Sequence, residues 1–523
     1  MGSADTSQAL ISRIWNRDVS IWSEDPAVQT AIRHRLGWLD SPTWLTENAD
    51  RLAHWASDLR ARGFAETVLI GMGGSSLAAE VLSEVAGPQS DGLSLTVLDT
   101  THPESIHAAL ANRPWARMLF LVASKSGTTI EVQSLCAWVL DNLEQQGVTE
   151  PGAQCVAITD PSSPLSQFAV QNRFIDCIEN PEDIGGRFSA LTAFGMVPAA
   201  LMDLQIDALA QNAVRMAAQC RRAEAEKNPG YALGRWIATQ WQAGRDCLQF
   251  LIDERYTAFG PWAEQLIAES LGKNGKGVLP LDSVIPAAPS GRLARVVLGA
   301  SDDASFWQRA RDLNDGAAVF EIPLENAADI AGEFFRWSFA TAVAGALMQI
   351  NPFDEPDVAA SKTITQSILD TGGLDTAPHL LSLTQLAATL SDAPANSYLA
   401  ILNYMPADPV VNDALEEFAQ QVRERFGLPV TINTGPRYLH STGQFHKGGA
   451  GHGIFFFVRG EPEFDLDIFS EDFGFAGLNQ AQAMGDCSEL SRRGRRVSWI
   501  NLEGSRFQKI QKLRAVLNEC VEA

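Results

Sequence analysis

Cysteine is sparse in this chain of 523 residues: seven are scattered along it, and no two form a C-x-x-C pair. That excludes a zinc ribbon or a dithiol redox site, and it predicts reduced thiols in a cytoplasmic protein. Positive charge is also short, since 40 Lys and Arg face 63 Asp and Glu for a net charge of -23. A field of that sign repels phosphate backbones, so no nucleic acid is expected as a partner. No apolar run reaches the ~20 residues that a membrane span needs. The longest candidate, residues 337–350, is interrupted by Ser338, Thr341 and Gln349 and predicts a buried helix instead. There is no secretory h-region, and residues 1–6 fit the loose myristoylation pattern without a basic cluster behind them, so no membrane partner is expected. What is present is ordinary globular composition, 46% hydrophobic and 20% charged, in a chain long enough for two or three domains.

Residues 7–62 carry a helical pattern with no strand-like run. At Thr67 the texture changes: TVLIGMGG followed by SSLAAEVLSEVAG reads as strand, tight loop and helix. The unit recurs at LSLTVLD (93–99), at MLFLVASKSG with the helix after it, and at CVAITD (155–160). Strands alternating with helices imply a parallel sheet covered on both faces, an α/β fold. Residues 199–241 read as helical, and a second series begins at Cys247 with CLQFLID, ARVVLGA and AAVFEIPL. A helical stretch over 327–349 follows, and Pro352 breaks it. Further strands are predicted at 399–405, 429–433, 453–459 and 496–502, with a helix over 477–492. The expected division is a helical segment (1–62), a first α/β domain (63–200), a second (201–428), and a segment (429–523) completing the second.

Two loops carry the first chemical signal. Gly71-Met72-Gly73-Gly74-Ser75-Ser76 lies between strand and helix, where glycines let backbone N–H groups approach an anion at a helix N-terminus. Its spacing matches neither G-x-G-x-x-G nor a P-loop, which disfavours a nucleotide. Ser124-Lys125-Ser126-Gly127-Thr128-Thr129 repeats the placement with hydroxyls suited to a phosphate monoester. Each Ser or Thr taken singly could be a plain N-cap. Because the chain as a whole is acidic, an anion has to be held by such local dipoles, with Lys125 as a possible helper.

GMGGSS followed by SKSGTT resembles the sugar isomerase (SIS) fold, and three later segments narrow the resemblance to phosphoglucose isomerases. Ile184-Gly185-Gly186-Arg187-Phe188-Ser189 is similar to the family's G-G-R-[FY]-S signature. Gln265 to Ser270 is similar to Q-x-x-x-E-S, and the segment from Asn351 to Lys362 resembles F-D-Q-x-G-V-E-x-x-K. The tail, with Arg437, His440, Gln444, His446 and Lys447 and then residues 478–486, resembles the isomerase half of fused transaldolase/glucose-6-phosphate isomerases. No transaldolase barrel, which needs roughly 250 further residues, is present.

The resemblance implies two tandem SIS-type doubly wound parallel-sheet domains with a helical N-terminal cap and a C-terminal α/β extension. It further implies an aldose-ketose isomerase of glycolysis and gluconeogenesis that interconverts glucose 6-phosphate and fructose 6-phosphate through a cis-enediolate, without a metal or other cofactor, as a homodimer. Glu269 is implied as the base and Gln265 is one helical turn away. Arg187 would stabilise the enediolate oxygens, and Lys362 would assist ring opening or bind a sugar oxygen. Gly74, Ser75, Ser124, Ser126, Thr128 and Thr129 fall on phosphate-contacting positions. The family's ring-opening histidine lies between the base and the lysine, yet no histidine stands between Glu269 and Lys362 here. His440 or His446 is expected to take that part, with His440 preferred, across a dimer interface if need be. Glu355 and Asp357 replace the family's Gln and Gly and add acid near the site. Alternatives are an enzyme that also accepts mannose 6-phosphate, and a non-catalytic SIS regulatory module, against which the joint presence of Arg187, Glu269 and Lys362 argues.

Overall fold

Unbroken aliphatic runs such as VLI and LFLV can be buried on both faces only inside a layered α/β structure, and they form its central strands. The computed structural model describes residues 3–87, 89–282, 290–373, 378–469 and 471–522. Five parallel strands, β1 (Glu66–Gly71), β2 (Ser94–Leu98), β3 (Met118–Ala123), β4 (Cys155–Thr159) and β5 (Asp176–Glu179), make a first sheet in the order β2-β1-β3-β4-β5. Every residue of β3 and β4 is buried, as expected for strands covered on both sides. The order reverses between β1 and β3. In doubly wound sheets the crevice beyond the carboxyl ends of the two strands at such a reversal is where ligands bind. Here those ends run into the loops beginning at Gly71 and Ser124.

The second sheet holds β6 (Cys247–Ile252), β7 (Leu279–Asp282), β8 (Leu293–Ala300) and β9 (Ala318–Leu324) in the order β7-β6-β8-β9, again parallel. The strands of the C-terminal region do not join it. Instead β10 (Tyr398–Tyr404), β11 (Val430–Thr434), β12 (Gly453–Gly460) and β13 (Arg496–Leu502) form a third parallel sheet in the order β11-β10-β12-β13. Residues 429–523 therefore pair with β10, not with β6–β9, and the new sheet begins near Tyr398. It still shares a core with the second sheet, since Cys247, Leu279 and Leu293 pack in one cluster with Ala400, Leu402, Phe455 and Phe457.

The N-terminal helices Ser3–Trp15, Pro26–Arg33 and Ser41–Ala61 cover this assembly. Trp15 and Trp22 donate their indole N–H groups to the carbonyls of Cys220 and Ala342, both at 2.9 Å. The apolar stretch after residue 327 is the buried helix Asp329–Met348, which ends where Gln349 turns left-handed (φ 56°) ahead of Pro352. Among the described residues no helix is long and apolar enough to cross a membrane. All seven cysteines are unpaired.

Candidate active site

The loops after β1 and β3 face a cavity of about 400 Å³ lined by Gly74, Ser75, Ser126, Thr129, Arg187, Gln265, Glu269, Lys362 and His440, together with Arg35, Lys125, Asp160 and Glu355. Elements from all parts of the chain meet there. Close approach of backbones makes this possible: a Cβ on Gly74 would run into the carbonyl oxygen of Gly186, and one on Gly73 (φ 54°) into the Gln265 amide and the carbonyl of His440. The two glycines thus bring the first phosphate-type loop against both the Gly-Gly-Arg turn and the histidine turn.

Glu269 lies on the buried helix Phe259–Leu271, and its Oε1 is 2.8 Å from Arg187 Nη1. Gln265, one turn earlier, donates from Nε2 to Glu269 Oε2 at 3.2 Å and to the carbonyl of His440 at 2.7 Å, fixing the carboxylate's orientation. Burial pushes the Glu269 carboxyl above its ordinary value; Arg187 pulls it down, and the neighbouring Glu355 pushes it up again. Burial alone would lower Arg187, but Glu269 and Glu355 outweigh it, so the proton of the pair stays on the guanidinium. Arg187 Nη2 also donates to the carbonyls of Pro352 (3.2 Å) and Asp354 (3.1 Å). The buried Lys273 holds the same turn through the Asn351 carbonyl (2.8 Å) and Asp354 Oδ1 (2.7 Å), and burial first, then Arg187, brings it down to about 8.

His440 ends the short turn Arg437–His440, and its Nε2 lies 2.9 Å from Glu131 Oε1. Glu131 is itself held by Gln482 Nε2 at 2.7 Å, and Gln482 Oε1 accepts from Thr101 Oγ1 at 2.7 Å. Burial would raise the Glu131 carboxyl, yet the charge and hydrogen bond of His440 win and leave it below its ordinary range. Glu131 was not anticipated from the sequence. It sits in the first turn of the helix Ile130–Gln145, where an acid is unremarkable, and only its placement two residues beyond Thr129 pointed toward the site.

Several expectations need correction. His446 does not reach the cavity: it is 1% exposed, its Nδ1 meets the Tyr398 hydroxyl at 3.0 Å, and its ring packs on Tyr398 and Phe455. Burial, with Lys447 and Arg495 nearby, drops it to about 3, which keeps it neutral. Ser124 is 3% exposed and lies beneath its loop, accepting from the Gly127 amide at 3.1 Å and meeting Thr129 Oγ1 at 3.1 Å. Thr128 bonds to the Ser126 hydroxyl (2.9 Å) and lines an adjoining chamber of about 130 Å³, behind Lys362 and His440, instead of the main cavity. Lys125 pairs with Asp160 and donates to the Glu182 carbonyl, so its charge is committed. Of the two acids that depart from the family pattern, Glu355 faces the site, 3.3 Å from Arg187, whereas Asp357 braces Arg493 (2.6 Å) and Gln444 (2.6 Å). His440 lines the cavity from the same chain as Glu269 and Lys362. Among the described residues no group of three or more His, Cys, Asp or Glu side chains is placed to hold a metal ion.

A family model described as phosphoglucose isomerase matches residues 51–312, half of the chain. The chain belongs to the phosphoglucose isomerase family. Among curated phosphoglucose isomerase relatives, the probable glucose-6-phosphate isomerase of Haloarcula marismortui is 33% identical over 255 residues, 48% of this chain and 57% of that protein. The glucose-6-phosphate isomerase of Synechococcus elongatus is 30% identical over 270 residues, 51% of this chain and 50% of that one. The alignments thus span about half the length of these relatives. The fold agrees with the crystal structure of a glucose-6-phosphate isomerase from Chlamydia trachomatis (TM-score 0.56, 17% identity, 71% of this chain and 86% of that one). It agrees as well with a hypothetical protein from Thermus thermophilus (TM-score 0.58, 22% identity, 70% and 96%). The family model includes the loops at Ser75 and Ser126, Arg187 and Glu269, but ends before Lys362 and His440. Those two line the same cavity as the matched residues.

Proposed function

We propose that the protein is an aldose-ketose isomerase that interconverts glucose 6-phosphate and fructose 6-phosphate. The observation that carries this reading is the meeting, in one cavity of one chain, of a buried carboxylate on a guanidinium, a histidine-carboxylate pair and two hydroxyl-bearing helix-entry loops. The phosphate is taken by the Ser75 and Ser126–Thr129 loops, whose hydroxyls and helix N-termini favour an anion. His440, with Nε2 engaged by Glu131, offers its other ring nitrogen to the ring oxygen and to O1. Together with Lys362 it moves the proton from O1 to O5 that opens the pyranose. Glu269 then removes the proton on C2, which produces the cis-enediolate, and returns it to C1; the O2 proton leaves and O1 regains one, so the product is an isomer with no net loss. A carboxyl with a raised pKa is the better base for a weak carbon acid at neutral pH. Arg187, fixed by Glu269 and two carbonyls, supplies a permanent charge where the enediolate develops its own.

A non-catalytic sugar-phosphate module has no use for the Glu269-Arg187 pair or for the His440-Glu131 pair. The test is a coupled assay of glucose 6-phosphate formed from fructose 6-phosphate, run with and without EDTA. Turnover insensitive to the chelator is expected. No turnover at millimolar substrate would overturn the reading.

A further inference from the structure

The charged side chains around the cavity do not pair off. Four are basic (Arg35, Lys125, Arg187, Lys362) and three are acidic (Asp160, Glu269, Glu355). Lys125 is committed to Asp160, and Arg187 to Glu269 and Glu355. Lys362 stands at the end of the cavity that His440 and Thr129 share with the smaller chamber. That leaves Arg35. Among the described residues its guanidinium has no hydrogen bond and no ion pair within 4 Å, although Asp160 lies within its field.

The backbone that presents Arg35 is firmly held. Leu36 bridges Ile184 antiparallel, the Gly37 amide donates to the Asp183 carbonyl at 2.9 Å, and Leu36 and Trp38 are buried. The Arg35 stem packs beside Gly185, next to the turn that carries Arg187. An unpartnered guanidinium is thus set rigidly into the wall beside the loop of Lys125 and Ser126. A phosphate dianion entering here meets three carboxylates in a chain of net charge -23, while the hydroxyls and amides of the loops are neutral donors. A guanidinium supplies the missing charge and a fork that matches two phosphate oxygens.

We propose that Arg35, from the helical segment ahead of the first sheet, is a substrate-binding residue that pairs with the phosphate of the sugar phosphate and sets the preference for phosphorylated over free sugars. This rests on the isomerase reading, so the experiment separates the two. Wild type, Arg35→Gln and Arg35→Lys are compared in KM and kcat for fructose 6-phosphate and in the competitive Ki of inorganic phosphate, with phosphate binding also measured by calorimetry. Arg35→Gln is expected to raise KM and the phosphate Ki together by roughly 10- to 100-fold, the size of a lost charged hydrogen bond, with a much smaller change in kcat. Arg35→Lys should fall between, keeping the charge without the fork. A merely structural arginine would lower the melting midpoint and kcat with Ki unmoved, and that result overturns the proposal, as does an unchanged KM and Ki. If wild type binds phosphate but does not isomerise, and Arg35→Gln loses the binding, the isomerase reading fails and the Arg35 assignment stands. Should Arg35→Gln not fold, a phosphate Ki raised about threefold or more in Arg35→Lys supports the assignment, and an unchanged one removes it.

Discussion

Glu269→Gln is the substitution that tests the chemistry with least disturbance of shape. The side chain keeps its length and can still meet Gln265, and Arg187 keeps Glu355 at 3.3 Å and the carbonyls of Pro352 and Asp354. What disappears is the proton acceptor and the counter-charge 2.8 Å from Arg187. Positioned general bases contribute about 10²- to 10⁴-fold, so kcat is expected to fall about 10³-fold, or about 4 kcal/mol of barrier. On the proposed reading the phosphate is held by Ser75, Ser126 and Thr129, which the change does not touch, so calorimetric affinity for fructose 6-phosphate should stay within about threefold of wild type. The assay is the coupled formation of glucose 6-phosphate, with a melting curve to show that the variant is folded. Turnover within threefold of wild type, at saturating substrate, would refute Glu269 as the base.

Glu355 pushes the Glu269 carboxyl up, so Glu355→Gln should move the acidic limb of the kcat/KM profile to lower pH; a limb that stays in place or rises would contradict that coupling. Protonation of Glu269 removes the base, and because its pKa is raised, activity in wild type should fall with decreasing pH from above the ordinary carboxylate range. His440→Ala should cost about 10²-fold or more on ring-closed substrate, whereas His446→Ala should leave kcat of the folded enzyme near wild type and lower stability by about 1–3 kcal/mol, read as a denaturation midpoint. Because one chain lines the cavity, specific activity should not depend on protein concentration over the range in which any dimer dissociates; loss on dilution would show that a partner completes the site.

The alternation of apolar strands and helices was legible because buried parallel strands have continuous apolar runs, and eleven of the strands were anticipated in that way. The two that were missed are β5 and β7, whose sequences are DCIE and LPLD. Both are four-residue edge strands, one with a single buried residue and one holding a proline, and neither stands out from a loop. The break between the second and third sheets was not legible at all, since nothing local in composition shows that β10 pairs with later strands and not with β6–β9. Within the site, residues that recur in signatures were found. Glu131 was missed because an acid at a helix start has an ordinary explanation, and Arg35 because it belongs to no motif. His440 and His446 are six positions apart in the same tail, and only the aromatic packing around the second separates their roles.

A crystal structure with fructose 6-phosphate bound is the most direct test of the central claim. The account predicts phosphate oxygens within hydrogen-bond reach of Ser75, Ser126 and Thr129, with C1 and C2 about 3.5 Å from a carboxylate oxygen of Glu269. A sugar seated with both carbons at twice that distance from Glu269, or with its phosphate outside those loops, would contradict it.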